Sequence, residues 1–304
     1  MENYLLKTIQ NIVDYIEDNI KKDISLDDLA NYSNFSKYHL HRIFRSITNT
    51  RLIDYVRGRK LSNSVHFLIN SNLNIIDIAQ EFGFKYEQSY IRAFKREFNI
   101  TPARYRRNQT QLSLTNILDT NLIKSIDNGI ILNPEIIFKP SFHIIGIENR
   151  INHQENVEKY TAAKSARSFY LNYQKKIKNA LKPEKFIGLS RYQKLSDPES
   201  VYITALEVTS LNDIPDDLIG LTLAANTYAV FKYIGIHNAD EITFNTISSI
   251  FFNMLDWLEQ NSIYQRIPGF HFERIDADNN NDNYTELELF LPISEANHEI
   301  NHTT

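Results

Sequence analysis

The chain has 304 residues, of which 42% are apolar, 12% aromatic and 23% charged; that balance supplies a large core and excludes global disorder or a fibrous repeat. Cysteine is absent, which removes a disulfide framework, thiolate metal sites and a Cys nucleophile. The formal charge of −4 is unevenly spread: residues 1–108 hold 17 Lys and Arg against 12 Asp and Glu, a net +5, while the remainder holds 16 against 25, a net −9. A basic part beside an acidic part predicts a polyanion partner for the first only. No uncharged stretch reaches the ~20 residues of a membrane span, and the first residues lack the basic and apolar runs of an export signal. The expectation is a cytoplasmic protein of about two domains with no membrane partner.

The first hundred residues read as nearly continuous helix, starting with Leu5, Leu6, Ile9, Ile12, Val13, Ile16 and Ile20 at helical spacing. Ser25, followed by Asp28, is an N-cap signature opening a helix over 26–33; Asn34-Phe35 makes a turn, and Ser36 caps a second helix through Ile47. Leu52, Ile53, Val56, Leu61, Val65 and Leu68 put an apolar stripe on a connecting helix over 52–69. The pattern then recurs. Asn74-Ile-Ile-Asp-Ile-Ala-Gln-Glu-Phe-Gly-Phe echoes Ser25-Leu-Asp-Asp-Leu-Ala-Asn-Tyr-Ser-Asn-Phe, and Arg92-Ala-Phe94-Lys95 echoes Arg42-Ile-Phe44-Arg45. Asn34 and Gly83 occupy the position where a helix ends in a left-handed residue. This is a duplicated helix-turn-helix, followed by a short basic helix launched by Thr101-Pro102 and carrying Arg104, Arg106 and Arg107.

Residues 109–133 are rich in Asn, Thr, Ser and Leu without a sustained period and are expected to be a linker. Beyond them short alternating strands flank two long helices: a strand over 136–147 interrupted at Pro140, a helix near 154–181, strands over 186–192 and 201–208, then a strand over 228–234, a helix near 240–260, and strands over 270–275 and 286–292. Two copies of strand-helix-strand-strand predict an α+β domain with a largely antiparallel sheet over 134–294, and a tail from 295. The expected fold is thus multidomain, an all-α double helix-turn-helix followed by this α+β domain.

Residues 5–107 resemble the AraC/XylS-type DNA-binding domain through Leu26-Asp-Asp-Leu-Ala, Phe35-Ser-Lys-Tyr-His-Leu-His-Arg-Ile-Phe44, Ile78-Ala-Gln-Glu-Phe-Gly-Phe84, Arg92-Ala-Phe-Lys-Arg-Glu-Phe98 and Thr101-Pro-Ala-Arg-Tyr-Arg-Arg107. The resemblance implies a bacterial transcription regulator whose second helices read double-stranded DNA, through Tyr38, His41 and Arg42 in one motif and Glu87, Gln88, Ile91 and Arg92 in the other. The chemistry agrees in part, since Arg suits guanine, Gln suits adenine, Glu accepts from cytosine and Ile touches a thymine methyl. Lys37, Lys85, Arg96, Arg106 and Arg107 are the expected phosphate contacts. Activation through RNA polymerase is also what the resemblance implies.

Residues 135–294 resemble the GyrI-like effector-binding fold through Thr227-Tyr-Ala-Val-Phe-Lys-Tyr-Ile-Gly235, Phe272-Glu-Arg-Ile-Asp276 and Glu286-Leu-Glu-Leu-Phe-Leu-Pro-Ile293, in a domain order similar to the Rob branch of AraC-type regulators. The resemblance implies a small-molecule effector and a pocket glutamate four residues before Pro292, which is Glu288. Period-two alternation sets Leu287, Leu289 and Leu291 against the face of Glu286, Glu288 and Phe290. A carboxylate among Tyr192, Trp257, Tyr264 and Phe270 would favour a cationic or amphipathic guest. Some relatives of this fold are hydrolases, so a pocket glutamate acting as general base, or a ligand-sequestering role, is the rival to a non-enzymatic regulator.

His298-Glu-Ile-Asn-His302 fits the H-E-x-x-H zinc pattern, but nothing downstream supplies a third ligand and no apolar helical face surrounds it. His39 and His41 are two apart and point to different helix faces. No metal, cofactor or catalytic residue is expected.

Overall fold

The computed structural model describes residues 4–126, 129–276 and 280–296. The chain divides into two compact units between Asn121 and Leu122. Among the described residues, no helix is long and apolar enough to cross a membrane.

The first unit is helical: α1 (Tyr4–Asp18), α2 (Leu26–Ser33), α3 (Lys37–Thr48), α4 (Leu52–Asn70), α5 (Ile75–Glu81), α6 (Glu87–Phe98) and α7 (Pro102–Asn108). Ser25 and Asp28 form a reciprocal capping box at α2, the Ser36 hydroxyl accepts from the His39 N–H, and the Thr101 hydroxyl accepts from that of Arg104. Each bond satisfies an amide that the first helical turn leaves unpaired. The turns between α2 and α3 and between α5 and α6 pass through left-handed backbone at Asn34 (φ 57°) and Gly83 (φ 71°), which Asn and Gly adopt at least cost.

The 19 residues of α4 span about 28 Å and join the two motifs. Its Leu61, Val65 and Leu68 pack with Ile78, Phe82, Tyr90 and Phe94. Two of its basic residues are buried and paired: Arg59 forks onto Glu17 of α1 at 2.7 Å to each oxygen, and the Lys60 ammonium donates to the Lys22 carbonyl. Residues 109–121, expected to open a linker, instead lie along α4. Leu112 packs against the second motif's core. The Thr115 N–H donates to Ser62 Oγ at 2.9 Å, its carbonyl accepts from Arg59 Nη1 at 2.5 Å, and the Leu118 N–H donates to the Tyr55 hydroxyl at 3.0 Å. Gly58 makes room for this strap, because a Cβ there would stand 2.4 Å from Thr115 Oγ1.

The second unit contains β1 (Lys124–Ile126), β2 (Gly129–Ile131), β3 (Glu135–Lys139), β4 (Phe142–Asn152), α8 (His153–Lys159), α9 (Thr161–Asn172), β5 (Lys185–Arg191), β6 (Glu199–Val208), β7 (Ile219–Leu223), β8 (Asn226–Gly235), α10 (Phe244–Gln260), β9 (Tyr264–Arg266), β10 (Phe270–Asp276) and β11 (Thr285–Glu295). The strand order is β1-β2-β8-β11-β10-β5-β6-β4-β7, with β3 added to β8 and β9 to β11. Also within the expected linker, β1 and β2 pair antiparallel, and β2 pairs with β8; three-residue strands are too short to show a period. The expected helix near 154–181 is two helices. Tyr160 turns the chain through φ 53°, and Asn156 Oδ1 starts α9 by accepting from the Ala162 N–H at 2.8 Å.

The strand-helix-strand-strand copies appear as β4-α8/α9-β5-β6 and β8-α10-β10-β11, meeting where β5 pairs antiparallel with β10. One sheet face carries the helices: Leu287, Leu289 and Leu291 pack with Ile250 and Met254 of α10, and Ile145 and Leu206 pack with Phe169 of α9. The other face holds Phe142, Tyr228, Phe272 and Phe290 together with Leu223 of the edge strand β7, so the sheet curls around its own aromatic core.

Candidate functional site

In α3, burial of Leu40, Ile43 and Phe44 fixes the opposite face as the exposed one. Tyr38 is 60% exposed, and Arg42 lies back on it, with Nη1 3.3 Å from the Tyr38 hydroxyl and the guanidinium 5.4 Å from its ring. His41 is partly buried. In α6, Tyr90, Phe94 and Phe98 are buried, leaving Gln88, Arg92 and Arg96 exposed and Glu87 and Ile91 partly so. Both expected reader sets therefore share an outward face with their motif's second helix, and α4 holds the two motifs in one unit.

The expected phosphate contacts differ more among themselves. Lys37 is ion-paired with Asp27, Lys85 lies 5.4 Å from the Tyr86 ring, and Arg107 is exposed. Arg106 is turned inward: its Nε donates to the Leu68 carbonyl at 2.9 Å and its Nη2 to the Leu73 carbonyl at 2.8 Å. It closes the end of α4, where a cation meets unpaired carbonyls and the negative helix terminus, rather than standing free for the expected phosphate.

The expected effector residues are not brought together. Glu288 does lie opposite the leucines, yet it is held by Arg274, with the Nε–Oε2 distance at 2.8 Å and the same guanidinium 4.9 Å from the Phe290 ring. Its cross-strand partner is Arg274, and a carboxylate beside a fixed guanidinium pairs with it. Trp257 and Tyr264 stack on each other at 6.0 Å and join the core on the α10 face, the reverse side of the sheet from Glu288. Tyr192 and Phe270 line an open pocket of about 680 Å³ with Arg150, Arg191 and Val201. The H-E-x-x-H residues lie outside the described residues.

A different glutamate occupies the sheet's centre on the helix side. Glu273 of β10 is 8% exposed and faces Gly188 of β5 across the seam. A Cβ on Gly188 would lie 2.1 Å from Glu273 Oε1. That oxygen accepts a 2.5 Å bond from the Tyr202 hydroxyl of β6. Burial pushes the Glu273 carboxyl up to about 7 and, with Glu273 beside it, holds the Tyr202 hydroxyl well above its ordinary value, because a low-dielectric surrounding disfavours both anions. Two residues along β10, the His271 ring packs against that of Phe251 of α10 at 4.6 Å with a 36° tilt, and its Nδ1 lies 3.2 Å from the Tyr192 hydroxyl. Burial, with Arg266 and His153 nearby, pushes its imidazole down to about 3, so it is neutral. Chemically, a carboxyl near neutrality can accept a donor or pair with a cation among aromatic rings. Glu273 stood within a motif already singled out; the alternation of Phe270 and Phe272 with His271 and Glu273 was the signal that could have found it.

Residues 29–108 match the family model of a helix-turn-helix domain, and residues 135–293 match that of the integron-associated effector binding proteins. The multiple antibiotic resistance protein MarA of Escherichia coli strain K12 is 38% identical over 104 residues, 34% of this chain and 82% of MarA. The HTH-type transcriptional activator AarP of Providencia stuartii is 38% identical over 102 residues, 34% of this chain and 76% of AarP. An integron cassette protein from the mobile metagenome of Vibrio cholerae is similar to the second unit, with a TM-score of 0.42 and 15% identity, covering 55% of this chain and 100% of that one.

Proposed function

The chain belongs to the AraC-type helix-turn-helix regulators and, through its second unit, to the integron-associated effector binding proteins, and from that premise we propose that a small cationic or amphipathic effector held at Glu273 changes how the protein binds its DNA site. It is a DNA-binding transcription regulator with a GyrI-like effector-binding domain. The finer reading is a cytoplasmic activator that contacts RNA polymerase and reads bases with Arg42 and Arg92, its DNA-binding domain ending near 108.

One observation carries the effector reading: Glu273 is a buried carboxyl with a tyrosine hydroxyl beside it and, among the described residues, no cation paired with it. Leaving such a group inside a protein is costly, and a cationic guest would offset that cost. The test uses tetraphenylphosphonium as a lipophilic cation. It should bind the full chain and change its affinity for DNA taken from upstream of its own gene, and Glu273→Gln should weaken cation binding while leaving DNA binding without the cation intact. Equal cation affinity in parent and variant would remove Glu273 from the site. A carboxyl near neutrality also suits a general base, so the same chain should be assayed for ester and amide turnover; product formation lost in Glu273→Gln would favour the hydrolase.

A further inference from the structure

Arg266 ends β9, which pairs with β11 so that Arg266 stands opposite Ile293. Ile293 packs on the α10 face, so the Arg266 side chain belongs to the same side of the sheet as Glu273. Its guanidinium lies 5.6 Å from the Tyr192 ring. Its Nη1 is buried and has no hydrogen-bond partner, and among the described residues no carboxylate lies within ion-pair distance of it. A guanidinium cannot shed its charge, so this nitrogen keeps an unmet donor inside the protein, a larger cost than for a neutral group.

The groups between Arg266 and Glu273 are contiguous. Tyr192 carries Arg266 on its ring and meets His271 through its hydroxyl; His271 packs against Phe251 and precedes Glu273 by two residues on one strand face. Tyr192 also lines the open pocket, so the row meets that pocket at Tyr192. An aromatic wall thus runs from an unmet cationic donor to a buried carboxyl.

We infer that this row is a two-ended site for an aromatic zwitterion, with the ligand's cationic or donor group at Glu273 and its carboxylate or other acceptor at Arg266. The inference rests on the effector reading of Glu273 and adds a requirement that a simple lipophilic cation does not meet. Tyr192, Phe251 and the neutral His271 ring supply the stacking surface between the ends.

The test compares three probes on the full chain by calorimetry, with fluorescence of the single tryptophan, Trp257, as a second readout. The probes are phenyltrimethylammonium, benzoate and para-trimethylammoniobenzoate. The zwitterion should bind the parent about tenfold more tightly than phenyltrimethylammonium, the scale of one hydrogen bond to a charged group. Arg266→Gln should erase that advantage and leave phenyltrimethylammonium binding unchanged, whereas Arg266→Lys, which keeps the charge and the packing stem, should retain part of it. Glu273→Gln should weaken both cations. Equal affinities for the two cations in the parent, or an advantage that survives Arg266→Gln, would overturn the two-ended site while the effect of Glu273→Gln leaves the effector reading standing. Absence of any effect from Glu273→Gln, or of binding by any probe, would overturn both.

Discussion

Gly188 and Glu273 are cross-strand partners on the seam between the two halves of the second unit, and the glycine's missing side chain is the space in which the glutamate's carboxyl lies. The seam joins a strand from each repeat, so the acid sits where neither repeat alone could place it. Tyr202, on the strand beyond, reaches across the same gap.

Gly188→Ala should therefore act on the acid. A methyl 2.1 Å from Glu273 Oε1 and 2.3 Å from the Tyr202 hydroxyl forces one of them to move, an overpacking cost of about 1–3 kcal/mol. Thermal melting should show that loss, and cation affinity should fall with it. A variant as stable as the parent that binds the cation normally would show that the Glu273–Tyr202 bond is dispensable to the site.

Stability should depend on pH through Glu273. Its carboxyl titrates near 7 when folded against an ordinary value of 4.5, so its contribution is full below 4.5 and is lost as pH rises through 7. The loss is about 3 kcal/mol at most, taking 1.36 kcal/mol per unit. His271 works the other way: with its folded value near 3, it contributes fully above its ordinary 6.5 and loses that contribution as pH falls toward 3. Subtracting the melting profile of Glu273→Gln from that of the parent isolates the glutamate, and the difference should fall between about pH 5 and pH 8. Cation binding should strengthen over the same interval as the carboxylate forms. A flat difference profile would show that the carboxyl is not shifted.

In the first unit, Arg92→Ala should cost about 1–3 kcal/mol on the cognate DNA site and relax preference at one position, while Lys37→Ala should weaken all sequences alike and lower the salt slope by about one. Equal losses on cognate and random DNA would make Arg92 a phosphate contact. The same titrations should separate Arg106: Arg106→Ala removes two bonds to the Leu68 and Leu73 carbonyls and should lower the unfolding free energy by roughly 1–3 kcal/mol, read as a lower melting temperature, with no change in the salt slope. A lowered slope with unchanged melting would return Arg106 to the DNA backbone.

Gly58→Ala tests the strap. Alanine would gain up to about 1 kcal/mol of helix propensity, but its methyl meets Thr115 Oγ1 at 2.4 Å. Limited proteolysis should cut 109–119 faster in the variant, and adding Thr115→Ala should restore protection, a coupling that a double-mutant cycle reads directly. Identical cleavage of parent and single variant would mean that the strap does not depend on the glycine.

What lay within a few residues along the chain was legible without coordinates: the helix-start signal of Ser25 and Asp28, the hydroxyl cap at Ser36, the Thr101-Pro102 start, the left-handed positions at Asn34 and Gly83, and the alternation that turns Leu287, Leu289 and Leu291 toward α10. Helix caps and strand period are local, because each depends on bonds within one turn or on which side of a pleat a residue falls. The duplication followed from the same local signals met twice. Tertiary structure alone decided which glutamate is buried beside a tyrosine and which is tied to an arginine. Glu288 and Glu273 have opposite strand faces, and their fates depend on Arg274 beside the one and on Gly188 and Tyr202 beside the other. Tyr202 is 71 residues from Glu273 in sequence, and pairing over that distance is set by strand order and register, which no local pattern encodes.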